Sequence, residues 1–551
     1  MTALAPDRIF LNANIHTINQ NQPAAAAVAI KGSRFVAVGS DADIRGLAGS
    51  ETVVEDLGGA TVIPGLIDAH NHLLATGRVL GQVSLYDCRS IPEILERIAA
   101  SARETPPGTW IIGRGWDESL LGECRHPTRH DLDRVSLDHP VVIHRVWNRL
   151  VANTRALAAA NISRETPDPS AGEEYGGSFE RDEHGEPTGL FHARAQSLVL
   201  DAIPEPTEEE RVAAIAAACR AYNALGITGV AEPGLYPREI RAFQRAQREG
   251  VLTVRTELLL AAWGFGKRSE DIADDGDQIE KRLEAAGVTG GFGDDLLRLE
   301  GVKLMPDGGI SDRTAKMHEA YDGQPDNTGA WVIEPERLSS LIRWVHDLGW
   351  SMDIHTCGSL TQEVVVRAYA AAQDAAPKPW LRHRVHHAYL PTADTLAVMA
   401  SHQIPALVSS PFLTNLGEGF VNALGPDRAA RMMPMRTYLD AGIPLAGSSD
   451  SPITDFNPWV GMHAAAIRDT VTGRPLGPRE CLTPAEALHS YTLGGANATG
   501  QEANRGSITP GKLADLVVLG QDPLAIPAAE LRDVRPVATL LGGEWVFDRR
   551  D

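Results

Sequence analysis

The chain changes its hydrophobic rhythm twice. The first sixty residues read as short β-type runs broken by Gly and Asn: "RIFLNANIHTI", "AAVAIKGSRFVAVG" and "TVVEDLGGATVIPG". The last fifty have the same character, in "GSITPGKLADLVVLGQDP" and "PVATLLGGEWVFDR". Between them, helical periodicity alternates with short apolar strands. "ERVAAIAAACRAYNALG" precedes "ITGVAEPG", "PERLSSLIRWVHDLG" precedes "WSMDIHTCG", "TADTLAVMASHQ" precedes "IPALVSSPF", and "MRTYLDAG" precedes "IPLAGSSDSP". Repeated β-α alternation predicts a parallel sheet, and this many units predict a closed (β/α)8 barrel of the TIM type.

The two β-rich ends are expected to form one small β-sandwich, residues 1–62 with 504–551. Residues 63–503 then form the barrel. A mixed segment over residues 80–182, rich in Trp, Arg and His, interrupts the alternation and is read as a cap-like insertion after the first barrel strand. The acidic stretch "SEDIADDGDQIEKRLEAAG" reads as a solvated surface helix.

Composition narrows the function. At 551 residues, 43% hydrophobic and 22% charged, the chain is an ordinary globular protein, with length for one large domain plus attachments. A formal net charge of −21 argues against a nucleic-acid surface, which needs clustered Lys and Arg. No apolar run approaches a membrane span. The N-terminal "MTALAPDRIFLNAN" lacks a basic segment followed by an apolar core, so no signal peptide is expected. Five scattered cysteines without a C-x-x-C pair suit a reduced, cytoplasmic protein. No G-x-G-x-x-G or P-loop sits at a strand-to-helix turn.

Barrel chemistry sits at the C-terminal ends of the strands, and five places there hold polar residues foreign to an apolar strand. His70 and His72 flank Asn71, and i, i+2 spacing points both imidazoles one way, as a pair of zinc ligands or as two polar loop residues. Asp68, two residues earlier, could orient an imidazole. Lys303 lies in "LEGVKLMPDGG", where it either snorkels to the rim or is buried with a lowered pKa and able to add carbon dioxide. His355 in "SMDIHTCG" and His386-His387 in "RHRVHHAYL" end successive strands. Asp450 in "LAGSSDSP" suits an N-cap, a metal ligand or a general base.

The set resembles the amidohydrolase superfamily, in particular its YtcJ-like branch (amidohydrolase family 3), which includes N-substituted formamide deformylases. "GGATVIPGLIDAHNHL" is similar to the first-strand signature, "GVKLMPDGG" with "AYDG" to the fourth-strand lysine motif, "GSSDSP" to the final aspartate motif and "GSITPGKLADLVVL" to the closing β-segment. The resemblance implies two divalent metal ions, zinc by expectation. His70 and His72 would hold one, and His355 and His387 the other. Carboxylated Lys303 would bridge them, and Asp450 would bind the first and shuttle protons. His386 stands where the branch has Glu and would act behind the ligands. Ser359 after Gly358, Asn148 in "VWNRL" and Ser410 before Pro411 are further departures.

Asp307, Gly308, Arg114, Trp116, Trp147, Asn148 and Phe412 are the expected substrate contacts. The expected activity is hydrolysis of a non-peptide C–N bond: an amide, N-substituted formamide, carbamate or cyclic amide. A metal-dependent decarboxylase or isomerase on the same scaffold is the alternative, and a non-catalytic binding protein a third reading. The partner is a small amide-type molecule, not nucleic acid or membrane, and the chain is compatible with a homodimer.

Overall fold

Eight parallel strands run in sequence order around one sheet: Leu66–Asp68, Ile227–Leu235, Arg255–Ala261, Leu297–Leu304, Ser351–His355, Arg384–His386, Ala406–Val408 and Leu445–Gly447. They come from a computed structural model describing residues 5–118, 120–145, 149–169, 177–262, 283–285 and 287–550. The first and eighth strands meet at their C-terminal ends, where the Ala69 N–H donates to the Gly447 carbonyl (3.1 Å) and the Asp450 N–H to the His70 carbonyl (2.9 Å). This is the expected barrel. Its strands are buried on both faces, which is why runs such as "TELLLA" are nearly continuous in apolar character rather than alternating.

Helices return the chain between strands. Pro335–Asp347 starts with Pro at its first turn, and Leu338, Leu341, Ile342 and Val345 recur at three- and four-residue spacing. That stripe joins a core containing Val302, Met352 and Ile354, and each side chain so buried contributes about 2 kcal/mol. Ala393–His402 is capped by Thr392, whose side chain accepts from the Thr395 N–H.

The chain ends build two further sheets in the same compact unit, Met1–Gly77 with Glu208–Asp551. One holds four strands from the first sixty residues, with Arg8–Leu11 between Ala27–Lys31 and Val53–Asp56. The other interleaves both ends: Leu516–Leu519 pairs with Pro536–Leu541 on one side and Thr61–Pro64 on the other. The two sheets share an apolar cluster including Phe10, Val28, Phe35, Val62, Leu516 and Leu540. Arg255, opening the third barrel strand, forks onto Asp515 with two 2.7 Å hydrogen bonds, both side chains buried.

The second compact unit is Arg78–Thr207. Its six-stranded sheet runs from Ser178–Arg181 through Pro187–His192, Arg149–Ala152, Val141–Arg145 and Ile111–Trp116 to Val83–Ser84. It extends past residue 182 because Pro187–His192 is an interior strand of that sheet. The acidic stretch expected as a surface helix lies almost wholly outside the described residues. Among the described residues no helix is long and apolar enough to cross a membrane.

Candidate metal centre

The loop after the first barrel strand is anchored through its middle residue. The Asn71 side-chain amide donates to Asp68 Oδ2 and to Ser449 Oγ, both at 2.9 Å, and its oxygen accepts from the Tyr222 hydroxyl at 2.5 Å. The Glu232 carboxylate, on the second strand, accepts from the backbone N–H groups of Leu73 and Leu74, where the next helix begins. With Asn71 committed to the wall, the flanking imidazoles of His70 and His72 meet edge-on, centroids 5.5 Å apart. Asp450 Oδ1 approaches both, 3.6 Å from His70 Nε2 and 3.3 Å from His72 Nε2.

Behind this pair lies a buried charge ladder. Lys303, Asp353 and Arg384 are side by side on the fourth, fifth and sixth strands. Asp353 accepts from Lys303 Nζ (2.9 Å), His70 Nδ1 (2.8 Å) and Arg384 Nε (3.2 Å). The Nδ1–H of His70 is thereby fixed on a carboxylate, which leaves Nε2 as a lone pair on the Asp450 side.

The fifth and sixth strands bring the second pair together. His355 donates from Nε2 to the Gly308 carbonyl (3.0 Å), and its Nδ1 lies 3.0 Å from His387 Nε2. His387 stacks between His386 (3.8 Å between centroids) and Phe412 (5.8 Å). His387 and Asp450 both adopt left-handed backbone, φ +73° and +54°. Such conformations cost energy in a residue with a side chain and cluster at functional sites.

The electrostatics leave these groups ready to act as donors. Burial depresses the pKa of His70 to about 4 and pushes those of His355, His386 and His387 down, so the imidazoles are neutral near pH 7. Burial alone would raise Asp450, but a hydrogen bond from His72 and the nearby His70 and His387 hold it below the usual carboxylate range. Burial lowers the Lys303 amine, opposed in part by Asp353.

Among the described residues, four overlapping triads each bring one donor atom per residue within 4.8 Å: His70–His72–Asp450, His386–His387–Asp450, His70–Asp353–His386 and His355–Cys357–His387. His386 Nε2 and His387 Nδ1 are buried without a hydrogen-bond partner. Orphaned imidazole nitrogens beside a carboxylate and a thiol form a donor set that fits an ion of the zinc class.

Several expectations change. Asp68 does not reach an imidazole; it accepts from Ser449, Asn71 and the His70 backbone, and Asp353 orients the His70 ring instead. Asp307 is buried, its Oδ2 taking the N–H of Lys316 and of Gly358 and the Thr361 hydroxyl, while Gly308 offers its carbonyl to His355. These two residues position His355 rather than line an open mouth. Phe412 is 3% exposed and backs His387. Trp116 is wholly buried in the core of the second unit. Arg114 is half-buried on the same strand, its Nε without a partner. Trp147 and Asn148 lie outside the described residues. His386, expected behind the ligands, has its ring stacked 3.4 Å from that of His70 and its Nδ1 3.1 Å from Lys303 Nζ. Asp353, Glu232 and Cys357 were not anticipated. The readable signs were carboxylates inside apolar runs, Asp353 in "SMDIH" and Glu232 in "ITGVAEPG", the same anomaly that singled out Lys303.

A sequence profile of the Amidohydrolase family (Amidohydro_3) matches residues 53–547. The YtcJ protein of Bacillus subtilis (strain 168) is 31% identical over 545 residues, covering 97% of this chain and 98% of the relative. The N-substituted formamide deformylase of Arthrobacter pascens is 30% identical over 554 residues, 98% of each chain. A crystal structure of an uncharacterized metal-dependent hydrolase from Pyrococcus horikoshii OT3 superposes with a TM-score of 0.76 at 26% identity, covering 95% of this chain and 99% of that one.

Proposed function

The chain belongs to the amidohydrolase family, and from that premise we propose that it is a metal-dependent hydrolase of a non-peptide C–N bond, in an amide, N-substituted formamide, carbamate or cyclic amide. The observation that carries this reading is the convergence of imidazoles on one carboxylate, Asp450, at the C-terminal rim of the barrel. The relative that deformylates N-substituted formamides supports that substrate class.

His70, His72 and Asp450 would hold one divalent ion, His355 and His387 a second, with zinc suited to both. Bound there, such ions supply Lewis acidity, polarising a carbonyl and lowering the pKa of water toward neutrality. Lys303 would lie between them as a carbamate. Its amine, once unprotonated, would add carbon dioxide and release a proton, with the remaining N–H kept on Asp353 Oδ1. Asp450 takes a proton from the attacking water and passes it to the leaving nitrogen as the C–N bond breaks, yielding a carboxylic acid (formate, from a formamide) and an amine. Asp353 and Gly308 keep the His70 and His355 rings in the tautomers that face the reaction. The side chains of His72 (29% exposed) and His355 (12%), against 3% for Lys303, support a substrate approach from the histidine side.

A panel of amides and N-substituted formamides, assayed with zinc-loaded protein, tests the reading. Amine should appear in equal amount with carboxylate or formate, and Asp450→Asn should lower turnover by about 10²–10⁴-fold. Carbon dioxide released without amine would favour a decarboxylase instead. Undiminished turnover in metal-loaded Asp450→Asn would remove the assignment.

A further inference from the structure

We propose that Cys357 is itself a metal ligand, so that the second position is a two-nitrogen, one-sulfur site made by His355, Cys357 and His387 for a soft or borderline divalent cation of the zinc class. This deepens the reading above and rests on it. His355 and His387 with the shared Lys303 carbamate proposed above give three protein ligands, and zinc accommodates four, so the position has room for a thiolate.

The backbone presents the sulfur beside both imidazoles. Cys357 follows His355 by two residues. Thr356, between them, is turned to the neighbouring strand, its N–H donating to the His386 carbonyl at 3.0 Å and its hydroxyl to the same oxygen at 2.9 Å. Residues 355 and 357 therefore share the opposite side. The Gly358 N–H donates to Asp307 Oδ2 (2.9 Å), fixing the turn that follows. The thiol is 4% exposed, and its sulfur lies within 4.8 Å of a ring nitrogen of each histidine. His387 Nε2 lies 3.0 Å from His355 Nδ1 in the same cluster. The ring of buried Tyr389 packs 5.0 Å from that of His387, on the same side of the cluster.

On binding, the thiol loses its proton to solvent and the sulfur gives a lone pair to the cation, with no change of oxidation state. A thiolate favours zinc or cadmium over magnesium or manganese, which prefer oxygen. It also contributes a negative charge that two neutral imidazoles lack.

Cobalt(II) substitution of the full chain reads this out without turnover. Wild-type protein should show the near-ultraviolet sulfur-to-cobalt charge-transfer band, and Cys357→Ser should lose it. X-ray absorption of the zinc-loaded wild type should contain a sulfur scatterer, which decides the matter even if the variant fails to fold. Cobalt bound without the band, a band unchanged in Cys357→Ser, or zinc with only nitrogen and oxygen neighbours overturns the sulfur ligand and leaves the hydrolase reading standing. A wild type that takes up neither metal overturns both.

Discussion

Asp353 has the most demanding position of any single residue in the site. It is fully buried and receives N–H donors from Lys303, Arg384 and His70. Burial alone would raise its pKa, yet His70, Lys303 and Arg384 hold it well below the ordinary range. Removing one partner of a buried ionic set leaves the others uncompensated, at about 3–5 kcal/mol. We predict that Asp353→Asn destabilises the fold by that amount in denaturant titration. Releasing the His70 ring should also weaken zinc binding by about 10–100-fold in a chelator competition. Equal stability and equal affinity would show that the ladder is dispensable. Lys303 stood out in the sequence because a lysine in an apolar strand is costly, but its partner did not. Strand register sets that pairing, and fifty residues of chain separate the two.

At the scale of elements, the turn after the fifth strand joins two supports of the same histidine. Gly358 caps the helix Ser359–Ala375 and passes so close to the Lys316 backbone that a Cβ would lie 2.0 Å from its carbonyl oxygen. Asp307 Oδ2 ties the N–H of Gly358 to that of Lys316, and the adjacent Gly308 carbonyl holds His355. Gly358→Ala must push these segments apart. On the two-ion reading proposed above, the expected result is a loss of about one bound equivalent relative to wild type, read by metal analysis, with helical circular dichroism retained; unchanged stoichiometry would count against the linkage. The strands and helices were legible because β-α alternation is a strong periodic signal. The loops that complete the site were not. His355 is positioned by a backbone carbonyl 47 residues away, and no residue type announces such a contact.

Over the whole molecule, buried neutral histidines set the acid limit. His70 and His144 have pKa values depressed to about 4, and His383 to about 3, all chiefly by burial. Their folded values lie below the unfolded value of 6.5, so the unfolded chain binds more protons as pH falls. The stabilisation they give is complete above about pH 6.5 and is lost progressively as pH drops through about 4. Metal-free protein should therefore show a falling Tm across that window, and zinc should raise Tm most at its upper end, where the ligands are still unprotonated. A Tm flat from pH 7 to pH 4 in the metal-free form would contradict it. The segment over 78–207 is where sequence reading fell short at this scale. Its six strands lack the regular alternation of the barrel, so its extent emerges only from the pairing of Pro187–His192.

The barrel's seam gives one more consequence. The first and eighth strands close the ring through a few backbone bonds, among them Ala69 to Gly447 and Asp450 to His70. His70 and Asp450 stand on opposite lips of that closure. An ion gripped by both would act as a clasp, and the ring would need to shed it before the lips could part. Breathing of the seam and departure of the ion become one event. Amide hydrogen exchange at Ala69 and Asp450 should slow sharply on zinc loading, while amides in the terminal strand Leu516–Leu519 keep their rate.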